Sequence, residues 1–300
     1  MASRRRFVLK NLSSFWAAGW SRLASANSNP RMAAPVALGS TLGIAEAASA
    51  SGMSVLIIDL DPQANASSGL GVWNATPSID DVLAEARAGS ATEAICRSHW
   101  PDDGPRPDLV PGSHLLAGRE ALLAADPVGA QDRLRLSMAG VNHDLVLIDC
   151  PPSLGLLCIN GLFAAERALI VTEPAAWAAD GVDLMHNTVE RVAGRLGAPR
   201  LAGVIVNRVG RTRDNRYWCE QLQDRFGELV LPQIQLRAAI AEASGQSTCL
   251  RSLGKRPGAA EAAGQFDELW NSLNEAQTAD LGSGGLPPSA EHSAPDTIDL

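Results

Sequence analysis

The hydrophobic residues of this chain fall into short strand-like runs that alternate with longer helix-like stretches. The apolar runs, strong ones first, lie at Val55–Ile58, Leu145–Ile148, Ala168–Val171 and Val204–Val206, with weaker ones at Leu115–Leu116 and Leu229–Leu231. Alanine-rich stretches of helical periodicity lie between them, at Thr41–Ser51, Ile79–Ala88, Asp180–Leu196, Arg216–Phe226 and Ala259–Leu273. Because the strong runs are apolar at every position, they indicate a parallel sheet covered by helices on both faces.

Parallel strands are joined by right-handed crossovers, so this alternation predicts an α/β fold with a doubly wound, mostly parallel sheet. The pattern extends from residue 35 to residue 273 without an internal repeat. We therefore expect one domain over residues 35–273, a leader of residues 1–34 and a tail of residues 274–300. The tail is rich in glycine, proline, serine and acidic residues, which is typical of disorder.

The first 36 residues carry six basic side chains and no acidic one. Their start, "SRRRFVLK", is similar to a twin-arginine export signal, but the stretch that should form its apolar core contains serines, Asn11 and Arg22. We therefore expect an extra or misassigned leader without a fold of its own, and not export. No apolar run in the chain approaches the roughly 20 residues that a membrane-spanning helix needs.

The overall charge and the cysteines exclude some classes of function. The formal net charge is −8, and because the first 36 residues contribute +6, the remainder carries −14. Such an acidic body argues against nucleic-acid binding through bulk charge, although a local arginine patch would still allow it. The five cysteines are odd in number and contain no CxxC pair, which indicates reduced thiols in a cytoplasm and neither a disulfide framework nor a zinc site.

Several of the strong runs end in polar side chains that suit magnesium and phosphate chemistry. Asp59 and Asp61 follow the first strong run, Asp149 follows the second, and Asn207 follows the last. Because the carboxyl ends of parallel strands lie at one edge of a sheet, these side chains should converge there. An aspartate directly after an apolar strand is typical of a magnesium-holding Walker B motif, although aspartate also caps helices and begins turns.

Four stretches occur in a distinctive order: "DLDPQ" from Asp59, "DCPPSLG" from Asp149, "VTEP" from Val171 and "VLPQIQLRAAIAEASGQS" from Val230. Together they resemble the ParA-type partition ATPases, the deviant-Walker branch of the P-loop NTPases that also includes MinD. The resemblance covers residues 52–273. It implies a P-loop NTPase-like fold, ATP hydrolysis with Mg²⁺ and a role in chromosome or plasmid partitioning.

The resemblance also implies catalytic and metal-binding roles for the residues at the strand ends. Asp61 would position or activate the water that attacks the γ-phosphate, and Asp59 would support the magnesium shell. Asp149 would hold Mg²⁺ through water. Pro151 would begin a switch segment that senses the γ-phosphate.

Members of this family form a dimer around two ATP molecules and then bind DNA without sequence preference. By the same resemblance, Asn207 would contact the adenine edge and Pro232 would lie near the base. Arg237, Arg211 and Arg213 would contact DNA phosphates, with an ordinary solvated surface as the alternative. A DNA-bound partner protein of ParB type and a cytoplasmic, nucleoid-associated location are also implied. A MinD-like membrane-bound regulator is less compatible, because the acidic tail offers no basic amphipathic helix.

The phosphate-binding loop is the part of the family pattern that this sequence lacks. Such a loop needs glycines, a lysine for the β- and γ-phosphates and a serine or threonine for Mg²⁺. Only Gly39, Ser40 and Thr41 resemble the end of one, with Ser40 as the candidate metal ligand. The two lysines of the chain, Lys10 and Lys255, lie outside the expected loop. We therefore expect the first strand and the phosphate loop to be degraded.

Three explanations for this loss are open. The chain is a degenerate ATPase that keeps the fold as a scaffold or interaction protein, or its gene start is damaged so that residues before Ala37 replace the true first strand and loop, or ATP binds through another loop. A lost first strand would harm folding as well as chemistry, which favours the second explanation. Because each charge-assisted phosphate contact contributes roughly 1.5–3 kcal/mol, we expect impaired binding of ATP and Mg²⁺.

Overall fold

A computed structural model describes residues 5–12 and 36–283, and seven strands within these residues form one sheet. The strands are Arg5–Asn11 (β1), Val55–Asp59 (β2), Cys96–Arg97 (β3), Asp108–Val110 (β4), Leu145–Cys150 (β5), Arg167–Thr172 (β6) and Arg200–Val206 (β7). Their order across the sheet is β3-β4-β2-β5-β1-β6-β7. All neighbours are parallel except β3 and β4, which confirms the predicted mostly parallel sheet.

Helices connect the strands and cover both faces of the sheet. They are Val36–Ala50 (α1), Asn65–Gly69 (α2), Ile79–Glu85 (α3), Ser90–Glu93 (α4), Leu116–Ala124 (α5), Arg133–Ser137 (α6), Leu156–Ala164 (α7), Ala178–Leu196 (α8), Arg213–Phe226 (α9), Ala238–Gly245 (α10) and Ala259–Ser283 (α11). Two short 3₁₀ turns lie at Gly227–Leu229 and Arg251–Leu253.

Strand β1 is formed by residues that the sequence analysis assigned to a leader without a fold. It lies between β5 and β6, with Phe7 paired to Leu147 on one side and to Arg167 on the other. The expectation of a degraded first strand is therefore wrong. The three-residue apolar run at Phe7 is short and has basic residues on both sides, so it resembled an export signal more than a central strand. The other parts of the expected leader, residues 1–4 and 13–34, lie outside the described residues.

The side chains of β1 alternate between two hydrophobic clusters, one on each face of the sheet. Val8 belongs to the cluster that also contains Ile58 and Ile148, whereas Phe7 and Leu9 belong to the opposite cluster with Ile57. All six side chains are at most 1% exposed. Because each face is covered by helices, a central strand here must be apolar on both sides.

Helix α1 packs against α11 on the face of the sheet that contains Phe7. A side chain at Gly43 would place its Cβ 2.5 Å from the ring of Phe266, so this helix contact requires glycine. Glu46, on the same helix, is 2% exposed and accepts hydrogen bonds from Leu250 N at 2.8 Å and Arg251 N at 2.9 Å. It also forms an ion pair with the guanidinium of Arg251 at 3.0 Å. Glu46 thus fixes the segment that leads into α11 against α1.

We expect Glu46→Ala to lower the free energy of unfolding by about 2–4 kcal/mol, because it leaves two backbone N–H groups and a guanidinium without their acceptor. Urea unfolding followed by circular dichroism measures the change. The control is Glu261→Ala, which removes an exposed glutamate and should shift the free energy by less than about 0.5 kcal/mol. Equal effects of the two substitutions would contradict the role of Glu46.

The remaining differences from the sequence analysis lie at weak elements. Helix α11 continues to Ser283, so residues 274–283 of the expected disordered tail are helical, and residues 284–300 lie outside the described part of the chain. The weak run at Leu115 is the start of α5, and the run at Leu229 forms only an isolated bridge at Val230. Strands β3 and β4 were not predicted, because neither exceeds three residues.

Candidate nucleotide site at the carboxyl edge of the sheet

The carboxyl ends of β2 and β5 bring the predicted acidic residues together. Asp59 ends β2 and is paired in register with Asp149 near the end of β5. Asp61 follows two residues after Asp59, and the amide of the intervening Leu60 donates to the carbonyl of Asp149 at 2.9 Å. The predicted convergence of these carboxylates is thus what the strand pairing produces.

Asp149 is buried and contacts the first turns of α1. Its Oδ1 accepts a hydrogen bond from the hydroxyl of Thr41 at 3.1 Å. Burial, followed by the charges of Asp59 and Asp61, raises the pKa of Asp149 well above its usual range. A buried carboxylate in this state gains from a neighbouring cation, so the site is electrostatically prepared for positive charge.

Asp59 holds the chain that follows β2 in place. It is fully buried, and Ser67 donates to it from its backbone N and its hydroxyl, both at 2.7 Å. A Cβ at Gly112 would lie 2.8 Å from the Asp59 carboxyl carbon, so the neighbouring loop also packs directly on this group. Burial raises the pKa of Asp59 to about 6. The contacts of Asp59 are with protein groups, and a role in a magnesium shell stays a prediction.

Asp61 is the least enclosed of the three carboxylates. It is half-buried and accepts a hydrogen bond from the backbone N of Gln63 at 2.8 Å. Burial raises its pKa, while the Gln63 hydrogen bond and the charge of Lys10 act in the opposite direction. This carboxylate therefore has free acceptor capacity at the sheet edge, as an activating group for water requires.

Lys10 is a member of the site that the sequence analysis missed. Its side chain is fully buried near the end of β1, and its ammonium donates to the carbonyl oxygens of Pro151 and Ser153. The sequence analysis excluded it from the phosphate loop, and it does lie on a strand. Lys10 nevertheless adds a buried positive charge at this edge of the sheet, close enough to Asp61 to act on its pKa. Lys10 reaches this edge because it lies near the end of β1, so it could be placed in the site only if β1 had been predicted as a strand.

Asn207 connects the end of β7 to the start of α1. Its amide Nδ2 donates to the hydroxyl of Ser40 at 2.9 Å, and its backbone N donates to the carbonyl of Thr172 at 2.8 Å. A Cβ on Gly39 would lie 3.0 Å from Ile240 and 3.9 Å from Asn207, so Gly39 is close to the same residues. The structure thus brings Gly39, Ser40 and Asn207 together. The hydroxyl that contacts Asp149 belongs to Thr41, and the metal role expected for Ser40 stays a prediction.

Pro151 and Pro232 lie beside this group of residues. Pro151 follows β5 and is buried. Pro232 lies between two residues that bond to β7, since Leu231 N donates to the carbonyl of Val204 at 2.9 Å and Ile234 N to that of Val206 at 3.0 Å. Both prolines are therefore at the carboxyl edge of the sheet, where a nucleotide base or phosphate would lie in such a fold.

Comparison with known proteins identifies the family. A family model described as an AAA domain matches residues 39–199. The chromosome partitioning protein ParA of Caulobacter vibrioides is 30% identical over 224 residues, which are 71% of this chain and 81% of that protein. The chain belongs to the ParA-type family of P-loop ATPases. The family membership inferred from the sequence is thereby confirmed.

Other relatives match over similar lengths. The chromosome-partitioning ATPase Soj of Thermus thermophilus is 36% identical over 183 residues, 60% of this chain and 67% of that protein. A protein of Mycobacterium tuberculosis without an assigned function is 35% identical over 205 residues. Those residues are 66% of this chain and 62% of the mycobacterial protein, so the chain spans less than two thirds of that relative.

Solved structures confirm the P-loop NTPase-like fold. A cobyrinic acid a,c-diamide synthase of Mycobacterium smegmatis with bound ADP and magnesium superposes with a TM-score of 0.67 at 26% identity, covering 93% of this chain and 97% of that one. The apo form of McdA from Cyanthece gives a TM-score of 0.69 at 19% identity, covering 92% of this chain and 100% of that one. The second likeness concerns the fold alone.

The arginines that the ParA-type resemblance assigned to DNA lie on two adjoining segments. Arg211 and Arg213 are exposed after β7, and Arg237 is partly buried directly before α10. A hydrogen bond of 3.0 Å from Leu236 N to the carbonyl of Val209 joins the two segments. Arg211 also lines an open groove of about 590 Å³. This surface is basic and accessible, and its contact with DNA stays a prediction.

Neither a preassembled metal cluster nor a membrane helix is found in the described part of this ParA-type chain. Within residues 5–12 and 36–283 no group of three or more histidine, cysteine, aspartate or glutamate side chains is arranged to hold a metal ion. No helix in these ranges is long and apolar enough to cross a membrane. The oxygen atoms of Thr41 and Asp149, which are 3.1 Å apart, are of the type that Mg²⁺ prefers.

Proposed function

We propose that this chain is a ParA-type partition protein that binds Mg-ATP at the carboxyl edge of the sheet. The observation that carries the proposal is the contact between Thr41 and Asp149 at 3.1 Å, beside Asp59 and Asp61 and at the start of the helix that follows β1. This is a strand–helix arrangement in which a hydroxyl and a carboxylate meet where the phosphates of a nucleotide lie. The relatives named Soj and ParA, a chromosome-partitioning ATPase and a chromosome partitioning protein, support the assignment.

The donor set fits magnesium and a nucleotide. Magnesium prefers oxygen ligands, and the hydroxyl of Thr41 and the carboxylate of Asp149 supply two in direct contact with each other. When bound, the ion would neutralise charge on the phosphates. Asp61 would orient and deprotonate the attacking water, and Asn207 with Pro232 would adjoin the base. The finer roles follow from the family resemblance.

The proposed nucleotide affinity is low for this family. The sequence from residue 13 to residue 35, which joins β1 to α1, contains one glycine and no lysine. A phosphate loop normally uses several backbone N–H groups and one lysine, and arginine replaces that lysine poorly as a point charge. We therefore expect a dissociation constant for Mg-ATP at least tenfold above that of a ParA-type protein with an intact loop.

A second candidate, a scaffold of the same fold without ATPase activity, is favoured by one specific feature. The polar groups at the sheet edge already have protein partners: Ser67 donates to Asp59, Thr41 to Asp149, and Asn207 to Ser40. A site whose hydrogen bonds are satisfied within the protein loses some of them when a ligand binds. In this alternative the dimer and the partner contacts persist without nucleotide turnover.

Titration of the full chain with a fluorescent ATP analogue, with and without Mg²⁺, decides between these candidates. The ATPase proposal expects saturable, magnesium-dependent binding and phosphate release that continues over many turnovers. It also expects that Mg-ATP shifts the mass measured by light scattering from monomer to dimer. If no binding is detected at about 5 mM nucleotide, roughly five times the upper end of the usual range of KM values, ATP binding is rejected and the scaffold alternative is retained.

We further propose that the dimer binds DNA without sequence preference and that a ParB-type partner stimulates it. Arg237→Ala should weaken binding to two duplexes of unrelated sequence by about tenfold each, because a lost phosphate contact acts uniformly on all sequences. Fluorescence anisotropy at fixed salt measures both affinities. Arg200→Ala, at an exposed position on β7, is the control and should leave them unchanged. A loss with only one of the duplexes, or none, would contradict the proposed contact.

A further inference from the structure

The ammonium group of Lys10 contacts the segment that follows β5. It donates hydrogen bonds to the carbonyl oxygens of Pro151 and Ser153. Two of the three N–H donors of the ammonium thus have acceptors in this segment. The lysine therefore joins β1 to the segment that connects β5 to α7.

The surroundings of Lys10 would favour an apolar side chain if packing alone determined the residue. Val8 and Leu12, which share its face of β1, both belong to the hydrophobic cluster on that side of the sheet. Taking an ammonium out of water costs several kcal/mol unless hydrogen bonds and nearby charge offset it. A leucine here would continue the cluster without that cost, so the contacts of the ammonium are what distinguish lysine from an apolar residue at this position.

The segment held by Lys10 is the one that follows the magnesium-binding carboxylate of the proposed site. It runs from Pro151 to Gly155, separated from Asp149 only by Cys150, and its two prolines have no backbone N–H to contribute to hydrogen bonds. The carbonyl groups of Pro151 and Ser153 in this segment accept hydrogen bonds from the ammonium of Lys10. At the far end, Leu157 N donates to the carboxylate of Glu120 at 3.2 Å. The conformation of residues 151–155 thus depends on side chains from two other elements.

We propose that Lys10 is a positioning residue that holds residues 151–155 in one conformation and places a positive charge at the carboxyl edge of the sheet. Lys10 thereby supplies, from β1, a lysine ammonium, which the sequence between β1 and α1 lacks. The inference rests on the proposed function where it concerns ATP turnover. The stabilisation of residues 151–155 by Lys10 does not depend on that function and can be measured without nucleotide.

The first test compares Lys10→Met and Lys10→Arg with the wild-type chain. In hydrogen exchange without nucleotide, Lys10→Met should increase exchange in the peptide that contains residues 153–157 by at least tenfold, while peptides from β7 stay unchanged. With Mg-ATP, Lys10→Met should lower kcat by at least tenfold and change KM by less than threefold. The reason is that the lysine acts on the switch segment and not on ground-state binding. Lys10→Arg keeps the positive charge and the N–H donors, so its exchange rate and its kcat should be close to those of the wild-type chain.

Lys255→Met is the matched control, because Lys255 is the chain's other lysine and is exposed. It should change neither exchange nor kcat. If Lys10→Met matches the wild-type chain in the exchange of residues 153–157, the proposal is overturned whatever the ATPase result. If exchange rises but the wild-type chain turns over no ATP, the proposed function fails and the holding of the segment stands.

A spectroscopic measurement on the wild-type chain covers the case in which Lys10→Met does not fold. With ¹⁵N-lysine labelling, the two lysines give two Nζ signals. The Lys10 signal should exchange its protons with water at least a hundredfold more slowly than the Lys255 signal, since the Lys10 ammonium is fully buried and donates two hydrogen bonds inside the fold, whereas Lys255 is exposed. Equal exchange rates for the two signals would overturn the proposal.

Discussion

Val8→Asp should abolish the cooperative unfolding transition of this protein. Val8 is fully buried at the centre of β1, and β1 in turn separates β5 from β6 in the middle of the sheet. An ionised carboxylate there would have no partner in a hydrophobic cluster, at a cost that exceeds the 5–15 kcal/mol by which domains are usually stable. Circular dichroism and calorimetry should show no native transition near that of the wild-type chain.

Val128→Asp makes the same chemical change at a valine that is 82% exposed, and it should shift the melting temperature by less than about 2 °C. The pair of variants separates the two accounts of the N-terminal residues. If residues 1–34 were a leader without a fold, both substitutions would be equally harmless. A Val8→Asp variant with a wild-type melting temperature would thus contradict the placement of β1 at the centre of the sheet.

The fold was largely predictable because its strongest strands are buried on both faces. Val55–Asp59 and Leu145–Cys150 are apolar nearly throughout and could only belong to a covered parallel sheet. Strand β1 could not be recognised from its own residues. Only Phe7, Val8 and Leu9 are apolar, and the strand carries Arg5, Arg6 and Lys10 beside them. Its identity is determined by pairing with β5 and β6, which a local pattern does not contain.

For the candidate site, the sequence predicted which carboxylates meet but not which residues they bond to. The convergence of Asp59 and Asp149 followed from a general property of parallel sheets, so the sequence was sufficient for it. The partners of these groups were not predictable. Ser67, which donates to Asp59, and Thr41, which donates to Asp149, depend on the exact positions of α2 and α1. Lys10 was not predicted as a site residue because its position depends on the pairing of β1 with β5 and β6, which the local sequence does not reveal.

The buried lysine changes how the loss of the phosphate loop should be interpreted. The sequence pattern alone favours a damaged gene start in which both the first strand and the loop are lost. The strand is present, it pairs on both sides, and its lysine contacts the segment after Asp149. The missing phosphate-loop pattern concerns the sequence between β1 and α1, and residues 13–35 of that stretch lie outside the described part of the chain. This arrangement is compatible with a domain that folds fully and binds nucleotide weakly.

Asp61→Asn should lower kcat for ATP hydrolysis by at least a hundredfold and leave the dissociation constant for Mg-ATP within about threefold. Of the three carboxylates, Asp61 is the least enclosed, since Asp59 is 0% and Asp149 4% exposed whereas Asp61 is half-buried. A positioned general base contributes about 10²–10⁴-fold to a rate, whereas an amide of the same shape keeps the packing but accepts no proton. Phosphate release under saturating nucleotide measures kcat, and fluorescence titration measures binding.

The control for this prediction is Asp224→Asn, an identical change at an exposed residue of α9 that lies outside the sheet edge. It should leave both kcat and binding unchanged. Asp149→Asn should differ from Asp61→Asn, because it removes a carboxylate proposed for Mg²⁺ and should weaken magnesium-dependent binding itself. If Asp61→Asn weakened binding as much as Asp149→Asn, or if it hydrolysed ATP at the wild-type rate, the division of labour between the two carboxylates would be wrong. A fall in kcat alone, with the fold and the affinity retained, is the result that assigns the water-activating role to Asp61.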